Sequence, residues 1–235
     1  MAQREETQNN VTYLVVKHHS LCEESKTPKE GFEPVEVFNP KTKETTTKYI
    51  DKWGAVTGYI TKIDVYDTKD TYQTRFQGFK IHIDDEVVVD LPQKTAAYDA
   101  FCKSCENIDY SKPVTFSAYH NRSKDRTGFS IKQDGQGVDW NYTKDNMGDC
   151  PAWEIDEDGE PDTRKQRAFL KSRVVDFAVP AVEAANAARN AATSTSGEAE
   201  APKAEAATAS AGGKGKGKGK SAPAPAPVDE DEIPF

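Results

Sequence analysis

Two cysteines stand at a spacing that metal sites and redox sites use. Cys102 and Cys105 lie in the stretch CKSC, which is the spacing of half a zinc site or of a thiol redox pair. The sequence has no second CxxC, and Cys22 and Cys150 are distant in sequence, with the pair His18-His19 as a further source of ligands. Both cysteines of the motif fall on the apolar face of a predicted helix, where a free thiol packs as a small hydrophobic group. We therefore favour structural thiols over zinc binding and over redox chemistry, and we predict no metal site and no cofactor.

Common catalytic motifs are absent from the sequence. It contains no nucleophile elbow, no phosphate-binding P-loop and no HExxH zinc motif. Adjacent acidic residues such as Asp84-Asp85 and Glu157-Asp158 lie in turn-like segments, where solvation explains them. We predict no catalytic residues, and an enzymatic function would have to rest on the CxxC alone.

Aromatic and cationic side chains alternate with apolar ones in the stretch YQTRFQGFKIHID, residues 72–84. Strand alternation places Phe79, Ile81 and Ile83 on one face, which suits a core. The opposite face carries Tyr72, Phe76, Lys80 and His82, with room between them at Gly78. Bases of an unpaired strand stack on flat rings with about 1–3 kcal/mol each, while cations follow the phosphates. Duplex readout would instead need a helix or ribbon shaped for a groove, so the pattern favours unpaired nucleic acid.

Neighbouring segments add side chains of the same two kinds. Ile60 is expected to point inward, so Tyr59 points outward, and the apolar phase restarts at Ile63, as a β-bulge near Lys62 would cause. The loop NRSKDRT, residues 121–127, adds cations where a binding loop is expected. The predicted nucleic-acid-binding residues are Tyr59, Lys62, Tyr72, Arg75, Phe76, Lys80, His82, Tyr119, Arg122, Lys124, Arg126 and Lys132. For any single ring, the alternative is a half-buried position under an N-terminal hairpin or a C-terminal helix.

Six elements are predicted to position these side chains. Period-2 and helical patterns predict three strands, a helix and two strands, at Trp53–Asp67, Tyr72–Asp84, Glu86–Pro92, Thr95–Ile108, Pro113–His120 and Gly128–Gln133. This order resembles the OB fold, a five-stranded barrel that binds oligonucleotides on its second and third strands and in two loops. We predict a mainly β protein whose five-stranded OB barrel spans about residues 53–140. An open β arrangement without a closed barrel is the alternative.

Further elements are predicted on both sides of the barrel. Before it, Val11–Val16 reads as a strand, and Val35–Ile50 reads as two strands around an Asn39-Pro40 turn, which gives an N-terminal hairpin extension. After it, Arg164–Val179 has one apolar helical face, and Pro180 is expected to end or kink this helix. The elaborated nucleic-acid-binding domain is therefore expected to span residues 1–190.

The last 45 residues differ in composition from the rest. From Ala191 onward the chain consists mainly of Ala, Gly, Ser, Thr, Pro, Lys and Glu, with no aromatic residue before Phe235. Such a segment cannot bury enough apolar surface to offset its chain entropy. We predict a disordered linker over residues 191–228 and a separate acidic tip over residues 229–235.

The tip, DEDEIPF, resembles the C-terminal tip of bacterial single-stranded DNA-binding proteins. The body looks more like the OB domains of phage-encoded single-stranded DNA-binding proteins. The resemblance implies that the tip docks enzymes of replication, recombination and repair, with the Phe ring in an apolar pocket and the terminal carboxylate meeting basic side chains. The implied docking residues are Asp229, Glu230, Asp231, Glu232, Ile233, Pro234 and Phe235.

These features together predict a sequence-tolerant single-stranded DNA-binding protein that coats the strand and recruits enzymes through its tip. The alternatives are a single-stranded RNA-binding protein or RNA chaperone, and an OB adaptor that binds protein. The net charge of −8 argues only mildly against nucleic acid, because binding depends on the local field along a groove. Four cysteines and the lack of a signal peptide or membrane-length apolar run suggest the cytoplasm of a bacterium or a phage-infected cell. The sequence leaves a homo-oligomer open.

Overall fold

The computed structural model describes residues 11–39, 42–69, 73–143, 145–152, 154–155 and 161–195. In these ranges the chain is mainly β, with helical segments in the middle and after the last strand. The strands are β1 Thr12–Lys17, β2 Ser20–Ser25, β3 Glu33–Asn39, β4 Glu44–Trp53, β5 Val56–Gly58, β6 Ile60–Lys69, β7 Arg75–Ile83, β8 Val87–Pro92, β9 Val114–Asn121, β10 Arg126–Gln133, β11 Gln136–Gly137, β12 Glu154–Ile155 and β13 Pro161–Asp162. The helices are α1 Ala96–Ser104, α2 Arg164–Arg173, a π-helical turn Val174–Ala178, and α3 Val179–Thr195.

Two sheets carry most of the strands. The larger has seven strands in the order β3-β4-β2-β1-β8-β7-β6, and the smaller has four in the order β11-β10-β9-β5. Strands β12 and β13 form a separate pair. Neighbours are antiparallel apart from the parallel pair of β1 and β8. Two hairpins, β1–β2 and β3–β4, therefore extend the larger sheet.

One bent segment links the two sheets. Strand β5 belongs to the smaller sheet, β6 to the larger one, and only Tyr59 separates them. A Cβ atom at Gly58 would overlap the Asp84 side chain, so the bend needs a glycine there. The register of β6 against β7 shifts between Ile60 and Lys62, which confirms the bulge predicted near Lys62.

The prediction of a closed five-stranded barrel is wrong, because both sheets are open. In the described residues, the edge of β8 that is not paired with β7 is paired with β1, from Thr12 opposite Val87 to Val15 opposite Asp90. The first hairpin thus occupies the position through which a barrel would close onto β10. The predicted order of three strands, a helix and two strands is present. The strands pair as in the open β arrangement that was the alternative to a closed barrel.

Helix α1 fills the space between the two sheets. Its ring of Phe101 lies 6.2 Å from Phe79 of the larger sheet and 6.4 Å from Phe116 of the smaller one, measured between ring centres. Tyr98 stacks on Phe79 with 5.0 Å between centres. The Thr95 side chain accepts a hydrogen bond from the backbone N–H of Tyr98, an N-cap of the kind that contributes about 1 kcal/mol. The predicted helix is confirmed over Ala96–Ser104, and it ends four residues before the predicted Ile108.

The C-terminal helical region departs from the prediction at Pro180. The helix does not end at Pro180: a π-helical turn over Val174–Ala178 precedes the proline, and α3 continues to Thr195. A widened turn can absorb the hydrogen bond that proline cannot donate. Helix α3 therefore includes the first five residues of the predicted linker, whereas residues 196–228 and the tip lie outside the described residues.

Two contacts anchor this region to the body. The Arg173 guanidinium donates to both carboxylate oxygens of Glu106, at 2.6 and 2.8 Å. Arg189 Nη1 donates to the Tyr110 carbonyl at 2.8 Å. Across the described ranges, none of the helices combines the length and the apolar character needed to cross a lipid bilayer.

Candidate nucleic-acid interface

The side of the larger sheet that faces away from α1 is the candidate interface, and we call it the outer face. Strands β6, β7, β8 and β1 lie side by side there. Cross-strand register places Asp64 beside Lys80 and Lys80 beside Asp90. The outer face includes Tyr13, Lys62, Asp64, Tyr66, Phe76, Lys80, His82 and Asp90, and the same register places the apolar residues Val15 and Val88 there. Three of the four residues predicted for this side of β7 are thus found together, while Tyr72 lies outside the described residues.

Aromatic rings surround Lys80 on the outer face. Its Nζ atom lies 5.8 Å from the ring centre of Tyr13 and 5.9 Å from that of Tyr66, within the range of cation–π attraction. The side chains of Tyr13 and Phe76 are 54% and 49% exposed. Flat rings that water reaches beside an ammonium group offer both a stacking surface for bases and a charge for a phosphate.

Gly78 was expected only to leave room between the outward side chains, but in the structure it has a more specific role. A Cβ atom at this position would lie 2.5 Å from Tyr66 Oη and would also overlap the carbonyl oxygen of Leu91. The ring of Tyr66 therefore lies directly over the backbone of β7. Glycine at position 78 lets this ring approach the sheet and reach Lys80.

One carboxylate holds two of the predicted binding residues. Asp64 accepts from Lys62 Nζ and from His82 Nε2, each at 2.9 Å. Partial burial by itself raises the pKa of Asp64, but the contacts with Lys62 and His82 outweigh it and the pKa lies below its ordinary value. A phosphate that approaches Lys62 or His82 must therefore compete with Asp64.

Arg75 is paired in the same way at the start of β7. Its Nε donates to Asp67 Oδ1 at 2.7 Å, and Gln77 Nε2 donates to the other oxygen of Asp67 at 2.8 Å. The hydrogen bond from Arg75 lowers the pKa of Asp67 to about 2. Arg75 therefore begins β7 with its charge already compensated by Asp67.

A third carboxylate, Asp90, is half-buried next to Lys80. Burial raises the pKa of the Asp90 carboxyl above its ordinary value, although the hydrogen bond from Tyr66 and the charge of Lys80 lower it. Among the described residues, its Oδ1 atom has no hydrogen-bond partner. The centre of the outer face thus pairs a cation with an incompletely satisfied carboxylate.

The remaining predicted cations lie on the smaller sheet. Tyr119 pairs with Gly128, and its ring lies over that glycine, where a Cβ atom would overlap it. Arg126 begins β10 beside Asn121, so Tyr119, Arg126 and the loop residues Arg122 and Lys124 share one end of the β9–β10 hairpin. Lys132 lies six positions further along β10 than Arg126, which is about 20 Å at strand spacing. The structure therefore separates Lys132 from the loop cations.

Tyr59 fits the alternative given above for a single ring, which is a half-buried position under the C-terminal helix. The guanidinium of Arg189 lies 4.7 Å from the ring centre of Tyr59, so helix α3 covers one side of the ring. Its exposed fraction is 36%. Tyr59 points outward as predicted, but only its uncovered side could meet a base.

The two aspartates of the outer face and two of its aromatic residues, Tyr13 and Tyr66, were not predicted from the sequence. Tyr66 follows Lys62 and Asp64 at two-residue intervals, so the bulge predicted near Lys62 already implied its outward direction. No pattern in the sequence indicated that Tyr13 would lie beside these residues. It joins the site through the pairing of β1 with β8, a long-range contact that local patterning does not show.

The CxxC cysteines lie away from the outer face and are buried. Cys102 and Cys105 are both 0% exposed. Burial raises the pKa of both thiols, for Cys105 to about 12. Burial therefore disfavours the thiolate that metal binding and redox chemistry require, in line with the structural role favoured from the sequence.

Comparisons of the chain with models of known protein families, with curated proteins and with solved structures find no match. We therefore infer function from the residues and their geometry.

Proposed function

We propose that the protein binds single-stranded DNA without strong sequence preference, as a non-enzymatic coating protein. The observation that carries the proposal is the outer face, where the exposed ring of Tyr13 lies beside the Lys80 cation and the exposed ring of Phe76 lies four positions before Lys80 on the same strand. Each ring can stack a base with about 1–3 kcal/mol whatever the base, and Lys80 can meet a phosphate. Binding is expected to tolerate any base sequence, because every base has a flat face that can stack.

The order of elements supports an elaborated OB-type domain. A bent first strand, two further strands, a helix and two strands follow one another from β5 to β10. In OB domains the ligand crosses the second and third strands, which correspond here to β7 and β8, and loops flank this path. The β9–β10 loop contains Arg122 and Lys124, and Arg126 follows at the start of β10.

The tip is proposed to act separately from the outer face. Its acidic residues and terminal Ile233-Pro234-Phe235 suit a basic rim around an apolar pocket on a replication, recombination or repair enzyme. Deletion of Ile233–Phe235 is expected to leave oligonucleotide affinity unchanged and to abolish capture by such an enzyme. Loss of DNA binding on this deletion would contradict the division of roles.

The test of DNA binding is a titration of fluorescein-labelled oligo-dT with the full chain at 50 and 200 mM salt. We expect log K to be lower at the higher salt concentration, with a slope against log salt near −0.7 for each phosphate contact. Phe76→Ala should weaken binding about fivefold or more, since about 1–3 kcal/mol of stacking is removed. The matched control is Phe177→Ala on the π-helical turn, where Phe177 is 41% exposed and off the outer face.

Parallel titrations separate the alternatives. Tighter binding of oligo-rU than of oligo-dT would favour the RNA-binding alternative. Absent or salt-independent oligonucleotide binding would favour a protein-binding adaptor. Equal losses for Phe76→Ala and Phe177→Ala would remove the outer face from the proposal.

A further inference from the structure

Three side chains with metal-binding atoms meet at a point where the two sheets approach each other. His19 comes from the turn between β1 and β2, His120 from the end of β9, and Asp125 from the β9–β10 turn. One ligand atom from each lies within 4.8 Å of the other two, and no second group of this kind occurs within the described ranges. The cluster is independent of the CxxC motif and of the outer face.

Hydrogen bonds and ring stacking already hold this cluster together. His120 Nε2 lies 2.9 Å from Asp125 Oδ1, and His19 Nδ1 lies 3.0 Å from Thr127 Oγ1. The imidazole rings of His19 and His120 are stacked, with 3.9 Å between centres and 21° between planes. Both His19 and Asp125 occupy left-handed backbone conformations, with φ of 61° and 46°. Two tight turns thus fix the positions from which these ligands project.

We propose that His19, His120 and Asp125 bind one Zn²⁺ ion, with water as a fourth ligand. Two imidazoles and a carboxylate are a donor set that zinc accepts, with three protein ligands and an open position. Ligand atoms at about 2.0–2.2 Å from a tetrahedral ion are about 3.3 Å apart. The spacing of His120 and Asp125 is already close to this value, so the ion would replace their hydrogen bond.

The stacked rings determine what must move when the ion binds. The lone pair of an imidazole nitrogen lies in the ring plane, so two nearly parallel rings cannot both point at one ion. One ring must rotate about its Cβ–Cγ bond. His120 has room to do so, because its side chain is 38% exposed. Thr127 would then keep His19 oriented through Nδ1 and leave Nε2 for the metal, as second-shell hydrogen bonds do in zinc sites.

The ion would have a structural consequence. The two sheets are open, and the described pairing has no ladder between β1 or β2 and β9 or β10. A metal shared by the β1–β2 turn and the β9–β10 hairpin would join them through side chains. Zinc that binds the folded chain in preference to the unfolded chain raises the melting temperature.

The test is metal titration of the untagged full chain after chelator treatment. Co²⁺ is followed by its d–d absorption, and Zn²⁺ is measured by competition with a chromogenic indicator. We expect one ion per chain, a higher melting temperature with Zn²⁺, and at least tenfold weaker binding for His19→Asn and for His120→Asn. His18→Asn, which changes the neighbouring histidine of the same turn, is the matched control and should bind as the parent does.

Several results would overturn the proposal. These are the absence of stoichiometric binding, equal losses for His18→Asn and His120→Asn, or a thiolate-to-cobalt charge-transfer band that places the ion on cysteine. Circular dichroism of each variant separates lost binding from lost folding. If His120→Asn unfolds, retained binding by the folded His19→Asn variant would still contradict the site.

Discussion

Lys80 is the cation around which the outer face is arranged. It lies between the rings of Tyr13 and Tyr66, and its neighbours across the sheet are Asp64 and Asp90. Lys62 and Arg75, by contrast, each form an ion pair with an aspartate. We therefore assign to Lys80 the first phosphate contact of the outer face.

Lys80→Gln is expected to weaken oligo-dT binding severalfold and to reduce the magnitude of the salt slope by about 0.7, because one phosphate contact is lost. Lys112→Gln is the matched control, since Lys112 pairs with Asp134 at the opposite end of β9 from the cationic loop. Fluorescence titrations at several salt concentrations measure both quantities. An unchanged slope for Lys80→Gln would show that its ammonium does not contact a phosphate.

A second prediction for a single residue concerns Asp99 on α1 and the stability of the protein. Its side chain is buried, and burial raises the pKa of this carboxyl to about 6, although Lys103 and Arg167 lower it. The folded pKa therefore lies above the unfolded value of about 3.9. The folded state binds the proton more tightly, so this contribution to stability is present below about pH 4 and is lost as the pH rises through about 6.

Asp99→Asn removes this titration. Relative to the parent chain, the variant should gain about 2 kcal/mol of unfolding free energy between pH 4 and pH 7.5. Urea unfolding at the two pH values measures the difference. Parallel pH profiles for variant and parent would contradict the assignment.

At the scale of elements, glycines decide how closely the strands and rings approach. Gly78 allows Tyr66 to lie over β7, and Gly58 allows the bend between β5 and β6. Neither role depends on a left-handed conformation; both depend on the missing side chain. The outer face and the link between the sheets therefore rest on two positions within strands.

Gly78→Ala is expected to destabilise the protein by about 1–3 kcal/mol, because the added methyl group overlaps the Leu91 carbonyl oxygen as well as the Tyr66 ring. Gly54→Ala is the matched control, since nothing lies within 4 Å of a Cβ atom there. Chemical denaturation compares the two. A Gly78→Ala variant as stable as Gly54→Ala would show that the ring and strand can separate at little cost.

Local patterns in the sequence were sufficient for the elements between Val56 and Gln133. Alternation located β7 and β8, the apolar stripe located α1, and the restart of the apolar phase located the bulge near Lys62. Strand β2 was not predicted, because the two apolar residues of Ser20–Ser25, Leu21 and Cys22, are adjacent and do not alternate with polar residues. Pro180 was expected to end or kink the helix, because the π-helical turn before it has no distinct sequence signal.

Whole-molecule arrangement was less accessible from the sequence. The barrel prediction failed because β1 pairs with β8 in parallel, and such long-range pairing depends on tertiary packing. The same pairing brings Tyr13 to the outer face. Phe76, Lys80 and His82 were grouped correctly because they share one strand, whereas Lys132 was grouped with residues from which the hairpin separates it.

The central claim is that unpaired nucleotides lie on the outer face of the larger sheet. Photocrosslinking tests it most directly, with the full chain bound to oligo-dT that contains 5-iododeoxyuridine, followed by mass spectrometry of the peptides. We predict adducts on Tyr13 of β1 and on Phe76 of β7, the two most exposed rings of that face. Adducts confined to Phe38 of β3 or to Phe177, which are also exposed, would contradict the account.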